Sequence, residues 1–322
     1  MVSLTNRGGH RHDGNVSNRG SKNAALPILF ASLLADGLHE FDNVPYLKDI
    51  ESTVQLLDSL GANCHREGDR LIVDVQSPAA HVADYDMVRK MRAGILCLGP
   101  LLARYGEARV SLPGGCAIGS RPIDLHIETM RRLGAEISSD GGYVIARAQR
   151  LEGARILFEK VTVGGTENAL MAASLAQGTT VIENAAKEPE VVDLANYLIA
   201  MGARIEGVGT SVITVEGVDK LNPAQHSIIP DRIEAGTLLI AGAITGGTVT
   251  VEECIPEHLQ SLVEKLRDSG FRVDTGETTI TVQATDSWRA VDISTAPYPG
   301  FPTDLQAQFM ALMTRARGTS VV

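Results

Sequence analysis

The stretch 54–75, VQLLDSLGANCHREGDRLIVDV, reads as an amphipathic helix that stops at Gly61, followed by a strand, a tight turn and a second strand. The same pattern returns at 127–146 (IETMRRLGAEISSDGGYVIA), 194–215 (LANYLIAMGARIEGVGTSVITV) and 262–282 (LVEKLRDSGFRVDTGETTITV). Gly61, Gly134, Gly202 and Gly270 occupy one slot, just past the last helical residue, where a residue without a Cβ adopts positive φ and ends the helix. The GD, DGG, GVG and TGE clusters that follow are hairpin turns.

Upstream of each stretch lies a helix of small apolar residues (23–35, 91–104, 167–176, 233–244) and then a strand (38–44, 108–112, 179–184, 248–252). The repeating unit is therefore helix–strand–helix–strand–strand. A fifth copy starts at 301–315 and breaks off at 318–322, where its strand should begin, so the second domain is expected to be incomplete. Helices that are apolar on most faces belong inside, with the sheets around them. The expected class is α+β in two domains: three units over 22–229, and one complete unit plus a partial one over 230–322. The boundary falls in the polar, proline-bracketed stretch 222–230 (NPAQHSIIP), and 1–21 forms a divergent N-terminal segment.

Composition narrows the function. The chain has 322 residues, 44% hydrophobic and 21% charged, enough to bury a core in each of two domains. Aromatics at 4% and a net charge of −10 argue against a nucleic-acid or anionic-membrane surface. The longest apolar run, 24–35, is shorter than a membrane span, and residues 1–21 carry no apolar secretory stretch. Four cysteines with no CxxC pair suit a reducing cytoplasm.

Several residues carry chemistry. Cys116 lies in SLPGGCAIGSR (111–121), a loop with three glycines and a proline. Most free cysteines are core thiols, but such loops are exposed and behave as lids, and Arg121 and Lys22 nearby would lower the thiol pKa. Lys22 precedes a helix opened by Asn23, so an ammonium and free helix N–H groups converge on one anion site; Asn23 itself reads by default as the N-cap. Asp304 in FPTDL (301–305) stands where a buried helix begins and reads equally as a cap or a base. Taken alone, KVTVG (160–164) is a strand-to-loop edge and KEPE (187–190) a solvated loop, while Cys64, Cys97 and Cys254 read as core. No metal site and no dinucleotide-binding glycine motif is expected.

Five ordered stretches, SKNAALPILFASLL (21–34), MRAGILCLGPLLARYGEARVSLPGGCAIGSRPIDLH (91–126), KVTVGGTENALMAASLAQGTTVIENAAKEPEVVDLA (160–195), PDRIEAGT (230–237) and TAPYPGFPTDLQAQF (295–309), resemble the UDP-N-acetylglucosamine enolpyruvyl transferases of the EPSP synthase superfamily. The resemblance implies an inverse α/β barrel of two three-unit domains. Two departures stand out: the first 20 residues show no alternating apolar strand before the lysine, and the sixth unit is absent. It also implies transfer of the enolpyruvyl group of phosphoenolpyruvate to the 3′-hydroxyl of UDP-N-acetylglucosamine, in the cytoplasm, with no cofactor and no obligate protein partner. Cys116 would be the general acid and the target of fosfomycin-type epoxides. Lys22 and Arg121 would hold the phosphoenolpyruvate phosphate, and Arg92 and Asn23 would meet the sugar nucleotide. Asp304 would be the base, arriving with closure of the second domain, and Asp231 would lie near the closed site. Arg121, Pro122, Ile123, Asp124 and Leu125 would hold the uridine, and Lys160, Thr162, Val163 and Gly164 the diphosphate. Glu188 would contact the sugar. Two alternatives stay open: a non-catalytic UDP-sugar-binding remnant, and the sister synthase acting on shikimate phosphate, against which PGGCAIGSRPIDLH argues.

Overall fold

The computed structural model describes residues 8–76, 82–83, 92–111 and 123–322. The chain divides into two compact units, one of residues Lys22–Ile229 and one of Pro230–Val322 together with the residues preceding Lys22. A short strand, β1 (Gly14–Ser17), belongs to the second of these.

The larger unit holds three repeats. The first is α1 (Lys22–Ala31), β2 (Gly37–Asp42), α2 (Lys48–Ser59), β3 (Ala62–Glu67) and β4 (Arg70–Val75). The second runs from β5 (Val82–Ala83) through a 3-10 helix (Arg92–Cys97) into α3 (Leu98–Tyr105), then β6 (Glu107–Ser111), α4 (Asp124–Arg132), β7 (Glu136–Asp140) and β8 (Tyr143–Arg147). The third comprises β9 (Arg155–Leu157), α5 (Val163–Ala173), β10 (Thr179–Glu183), α6 (Pro189–Ala200), β11 (Arg204–Glu206) and β12 (Val212–Glu216), with β13 (Gln225–Ser227) last.

These strands make three four-stranded sheets of one design, ordered β13-β2-β4-β3, β5-β6-β8-β7 and β9-β10-β12-β11. In each, the outer strand pairs in parallel with its neighbour and the hairpin continues antiparallel. β13 comes from the end of the unit yet completes the sheet of the first repeat, with Gln225 opposite Glu40. The four helix-stopping glycines have φ of 96°, 91°, 104° and 103°. At Gly134, the Ala135 N–H reaches back to the Met130 carbonyl at 3.0 Å, closing the helix end.

Residues 24–31 of α1 and 165–173 of α5 are buried throughout, as expected of helices without a polar face. One polar group inside this core is a chain of rings: the Tyr197 hydroxyl lies 2.5 Å from His39 Nδ1, and His39 Nε2 lies 3.2 Å from the Ala35 carbonyl. The carbonyl can only accept, so Nε2 carries the hydrogen and the tyrosine donates to Nδ1. Burial holds the His39 pKa down at about 4, so the ring is neutral.

The smaller unit contains α7 (Arg232–Thr245), β14 (Thr248–Glu252), α8 (Gln260–Ser269), β15 (Arg272–Thr275), β16 (Ile280–Gln283) and α9 (Gln306–Met313). Its sheet has the order β1-β14-β16-β15, with β1 parallel to β14. A strand does precede Lys22, though not an alternating apolar one. Only Val16 of β1 packs on the core, so four residues give no alternation to read; the strand is held by pairing and by side chains. Asp13 Oδ1 accepts from the Thr248 N–H at 2.6 Å, and Asn15 Nδ2 donates to Glu252 Oε1 at 2.6 Å. Among the described residues, no helix is long and apolar enough to cross a membrane.

Candidate functional site

The C-terminal ends of the three central helices of the larger unit line one cavity of about 400 Å³, through Leu34 and Ala35 after α1, Tyr105 of α3 and Leu175 after α5. The three helices therefore run in the same direction, and their first turns open on the opposite face. α1 opens there with Lys22 and α5 with Val163, and the 3-10 helix that leads into α3 begins at Arg92.

The beginning of α5 is the best-defined part of that face. KVTVG is not a strand edge here: the helix starts at Val163, four residues before the expected 167. Two glycines in a first turn disfavour a helix by roughly 1 kcal/mol each relative to alanine, which hid the start. What compensates is a cap. Thr162 Oγ1 accepts from the Gly165 N–H at 3.2 Å, and the Thr162 carbonyl accepts from the Thr166 N–H at 3.1 Å. Thr166 Oγ1 donates to the Thr162 carbonyl at 2.7 Å and accepts from the Ala186 N–H at 3.0 Å, pinning the KEPE loop to the helix. The N–H groups of Val163 and Gly164 belong to the first turn, where a helix offers no acceptor of its own. Val163 and Lys160 are exposed, so this end faces solvent.

Against it lies His126 of α4. A Cβ built on Gly164 would come within 3.1 Å of His126 Cε1 and 3.4 Å of Nε2, so glycine lets the imidazole lie close to the helix end. Asn168 positions the ring. Its Oδ1 accepts from the Gly99 N–H at 2.9 Å, and its Nδ2 donates to the Ile95 carbonyl and to His126 Nδ1, each at 3.0 Å. Burial pushes His126 down to about 4, so this ring too is neutral.

An acidic group borders the same helix. Glu167, Glu188 and Glu190 are 4%, 8% and 3% exposed, which corrects the reading of KEPE as a solvated loop. Burial, and then the Glu190 and Glu188 carboxylates, push Glu167 up to about 8, so it is protonated at neutral pH. Glu188 stands at the N-cap position of α6 but its side chain does not cap that helix.

The remaining expected residues sort as follows. Lys22 is itself the first residue of α1, and its Nζ lies 3.4 Å from Asp49 Oδ2; Asn23 is therefore inside the first turn rather than the cap. Ile123 precedes α4, its carbonyl accepting from the His126 N–H at 3.0 Å; Asp124 is exposed in the first turn and Leu125 is partly buried. Cys116, Arg121 and Pro122 lie outside the described residues, and of Arg92 only the backbone is described. In the smaller unit, Asp231 is the N-cap of α7, its Oδ1 accepting from the Ile233 N–H at 2.8 Å and the Glu234 N–H at 3.1 Å. The D-x-x-E spacing of Asp231 and Glu234 was a readable capping signal. Asp304 is exposed in a 3-10 turn (Thr303–Leu305) ahead of α9, and the N-cap positions fall to Pro302 and Leu305 rather than to it, which corrects the cap reading. Cys97 and Cys254 are buried as read, whereas Cys64 is only partly so. Cys97 Sγ donates to the Gly94 carbonyl at 2.9 Å and burial raises its pKa to about 12, an inert thiol. Glu167, Asn168 and His126 were not among the expected site residues; Asn168 and His126 meet across two different repeats, which no local pattern signals.

The family model for EPSP synthase (3-phosphoshikimate 1-carboxyvinyltransferase) matches residues 6–322. The chain belongs to the EPSP synthase family. Within that family it is 64% identical to the UDP-N-acetylglucosamine 1-carboxyvinyltransferase of Bdellovibrio bacteriovorus, over 96% of this chain and 75% of that one. It is 52% identical to the enzyme of the same name from Geotalea daltonii, over all of this chain and 77% of that one. Among solved structures, the enolpyruvyl transferase NikO from Streptomyces tendae superposes with a TM-score of 0.86 at 24% identity, covering 97% of this chain and 74% of that one. EPSP synthase from Acinetobacter baumannii gives 0.68 at 18% identity, over 89% and 68%. Both share the fold, the inverse α/β barrel of the EPSP synthase family.

Proposed function

We propose that this protein is a transferase that moves the enolpyruvyl group of phosphoenolpyruvate to the 3′-hydroxyl of UDP-N-acetylglucosamine, releasing phosphate. The observation that carries the reading is the 64% identity, over nearly the whole chain, to a relative named for a 1-carboxyvinyltransferase acting on that nucleotide sugar. In this reading the sugar oxygen bonds to C2 of phosphoenolpyruvate while C3 takes a proton. Loss of a C3 proton and of phosphate then restores the double bond on the new ether. Cys116 delivers the C3 proton and Asp304 removes the hydroxyl proton. Lys22 and Arg121 neutralise the phosphate, and Arg92, Asn23 and Glu188 meet the sugar.

The uridine is assigned to residues 121–125, and the diphosphate to Lys160, Thr162, Val163 and Gly164. Two first-turn N–H groups and an exposed ammonium suit that anion. Asp231 is assigned near the reacting groups, with its Oδ1 already engaged in capping α7. The activity would stand at the entry to peptidoglycan precursor synthesis. A cytoplasmic setting agrees with the free thiols Cys64, Cys97 and Cys254.

The test is phosphate release followed by 31P NMR, with each substrate omitted in turn. Release that requires both substrates and falls by about 100-fold or more in Cys116→Ser is expected. Release with shikimate 3-phosphate in place of the nucleotide sugar would move the assignment to the sister reaction.

A further inference from the structure

The proton on the His126 imidazole can be located from the hydrogen bonds around it. The Gly99 N–H is an unconditional donor, so the Asn168 atom facing it is the carbonyl oxygen. The Ile95 carbonyl is an unconditional acceptor, so the other end of that amide is the NH₂ group. The same NH₂ meets His126 Nδ1 at 3.0 Å, and Nδ1 must therefore accept. In a neutral ring the single hydrogen is then on Nε2. That nitrogen is beside Gly164, in the first turn of α5, where the Val163 and Gly164 N–H groups lack an intrahelical acceptor. Among the described residues, the Nε2–H has no protein partner. Asn168 is fully buried, so the amide that sets this tautomer is itself held from two sides and cannot turn over without losing two bonds.

We propose that His126 is a positioning residue for the nucleotide sugar, its Nε2–H donating to a diphosphate oxygen seated on the first turn of α5. This rests on the reading of the chain as an enzyme of a UDP-sugar. It adds a neutral donor to the lysine and backbone groups assigned there, and gives a role to Asn168, which orients the ring without touching ligand. A neutral donor is suited to the place. It adds directionality without the desolvation cost of a buried cation, and burial keeps the ring uncharged through the neutral range.

The test uses the full chain, with His126→Ala and His126→Gln, titrated calorimetrically with uridine, UDP and UDP-N-acetylglucosamine. The alanine variant should bind UDP and the nucleotide sugar about tenfold more weakly, a difference of about 1.4 kcal/mol, and bind uridine as the wild type does. In turnover its KM for the nucleotide sugar should rise by the same factor, with kcat and the KM for phosphoenolpyruvate within about twofold. The glutamine variant, whose amide can donate, should recover most of the loss. In the wild type, 15N imidazole NMR should show a protonated Nε2 on His126 whose resonance moves with UDP and not with uridine. UDP affinity unchanged in the alanine variant, an equal loss for uridine, or an unprotonated Nε2 overturns the positioning role. A wild type that binds UDP through His126 yet transfers no enolpyruvyl group overturns the proposed reaction and leaves this role standing. A wild type that binds neither UDP nor the nucleotide sugar overturns both.

Discussion

Replacing Asn168 by alanine removes one amide and three hydrogen bonds, and the structure says what each was worth. The Gly99 N–H in the first turn of α3 loses an acceptor supplied from another helix, and the Ile95 carbonyl loses a donor, both at a fully buried side chain. Leaving a buried polar group unpaired costs about 1–3 kcal/mol each. His126 is half-buried rather than enclosed, so solvent can take over the bond lost at Nδ1 and it adds little. The sum is about 2–6 kcal/mol, before any loss from the small void the amide leaves. At about 2–4 °C per kcal/mol for a unit of this size, the midpoint of the larger unit should fall by roughly 4–24 °C. Urea unfolding followed by circular dichroism is the assay, with a lower midpoint and an unchanged slope expected. A loss below about 1 kcal/mol would refute the view that this amide staples α3, α4 and α5 together, and with it the basis for assigning the His126 tautomer.

Three further outcomes follow from the same geometry. Gly99→Ala should destabilise the larger unit by about 3 kcal/mol or more, because its Cβ would sit 2.5 Å from Asn168 Oδ1 and 2.8 Å from the Asn168 carbonyl oxygen; a thermal midpoint within about 2 °C of wild type contradicts this. Tyr197→Phe leaves His39 Nδ1 buried without its donor and should cost about 1–3 kcal/mol in chemical unfolding, an unchanged midpoint being the adverse result. Stability should also follow pH. His39 and His126 titrate at about 4 when folded and near 6.5 when unfolded, so the unfolded chain binds more protons across that window. Each therefore raises stability with pH by up to about 1.4 kcal/mol per unit, until about 6.5. Glu167 has the opposite sign: folding lifts it from 4.5 to about 8, so it lowers stability as pH rises between those values. The urea midpoint should peak near pH 6.5 and decline toward 8, and Glu167→Gln should abolish the decline; a decline that survives the substitution counts against the assignment.

The repeat was legible because its signals are local. A helix that must reverse into a strand uses a glycine at positive φ, and all four expected stops have it. The strand 248–252 falls on its expected bounds, since Val and Thr alternate there against turn residues on both sides. What escaped notice depends on distant chain. β1 exists because β14 is present to pair with it, and its own sequence, GNVS, argues for nothing. The start of α5 was hidden by glycines whose cost is met by the Thr162 cap and by Thr166 gripping Ala186. Glu188 and Glu190 read as solvated until the packing of α6 enclosed them. The site was legible as motifs, Lys22 at a helix start among them, but the Asn168–His126 pair joins residues of separate repeats and needed the fold.

The pairing of β1 with β14 has a consequence for how the polypeptide is made. As the nascent chain leaves the ribosome, residues 14–17 emerge well before the edge they must join, which is synthesised only after all of 22–229. The three-sheet body waits only for β13, its own last piece, and is complete before β14 is made. Synthesis order therefore lets the inserted body mature while its host remains open. The Arg19 carbonyl then receives the Asp231 N–H at 2.7 Å, where the departing and returning strands of the host are at last tied.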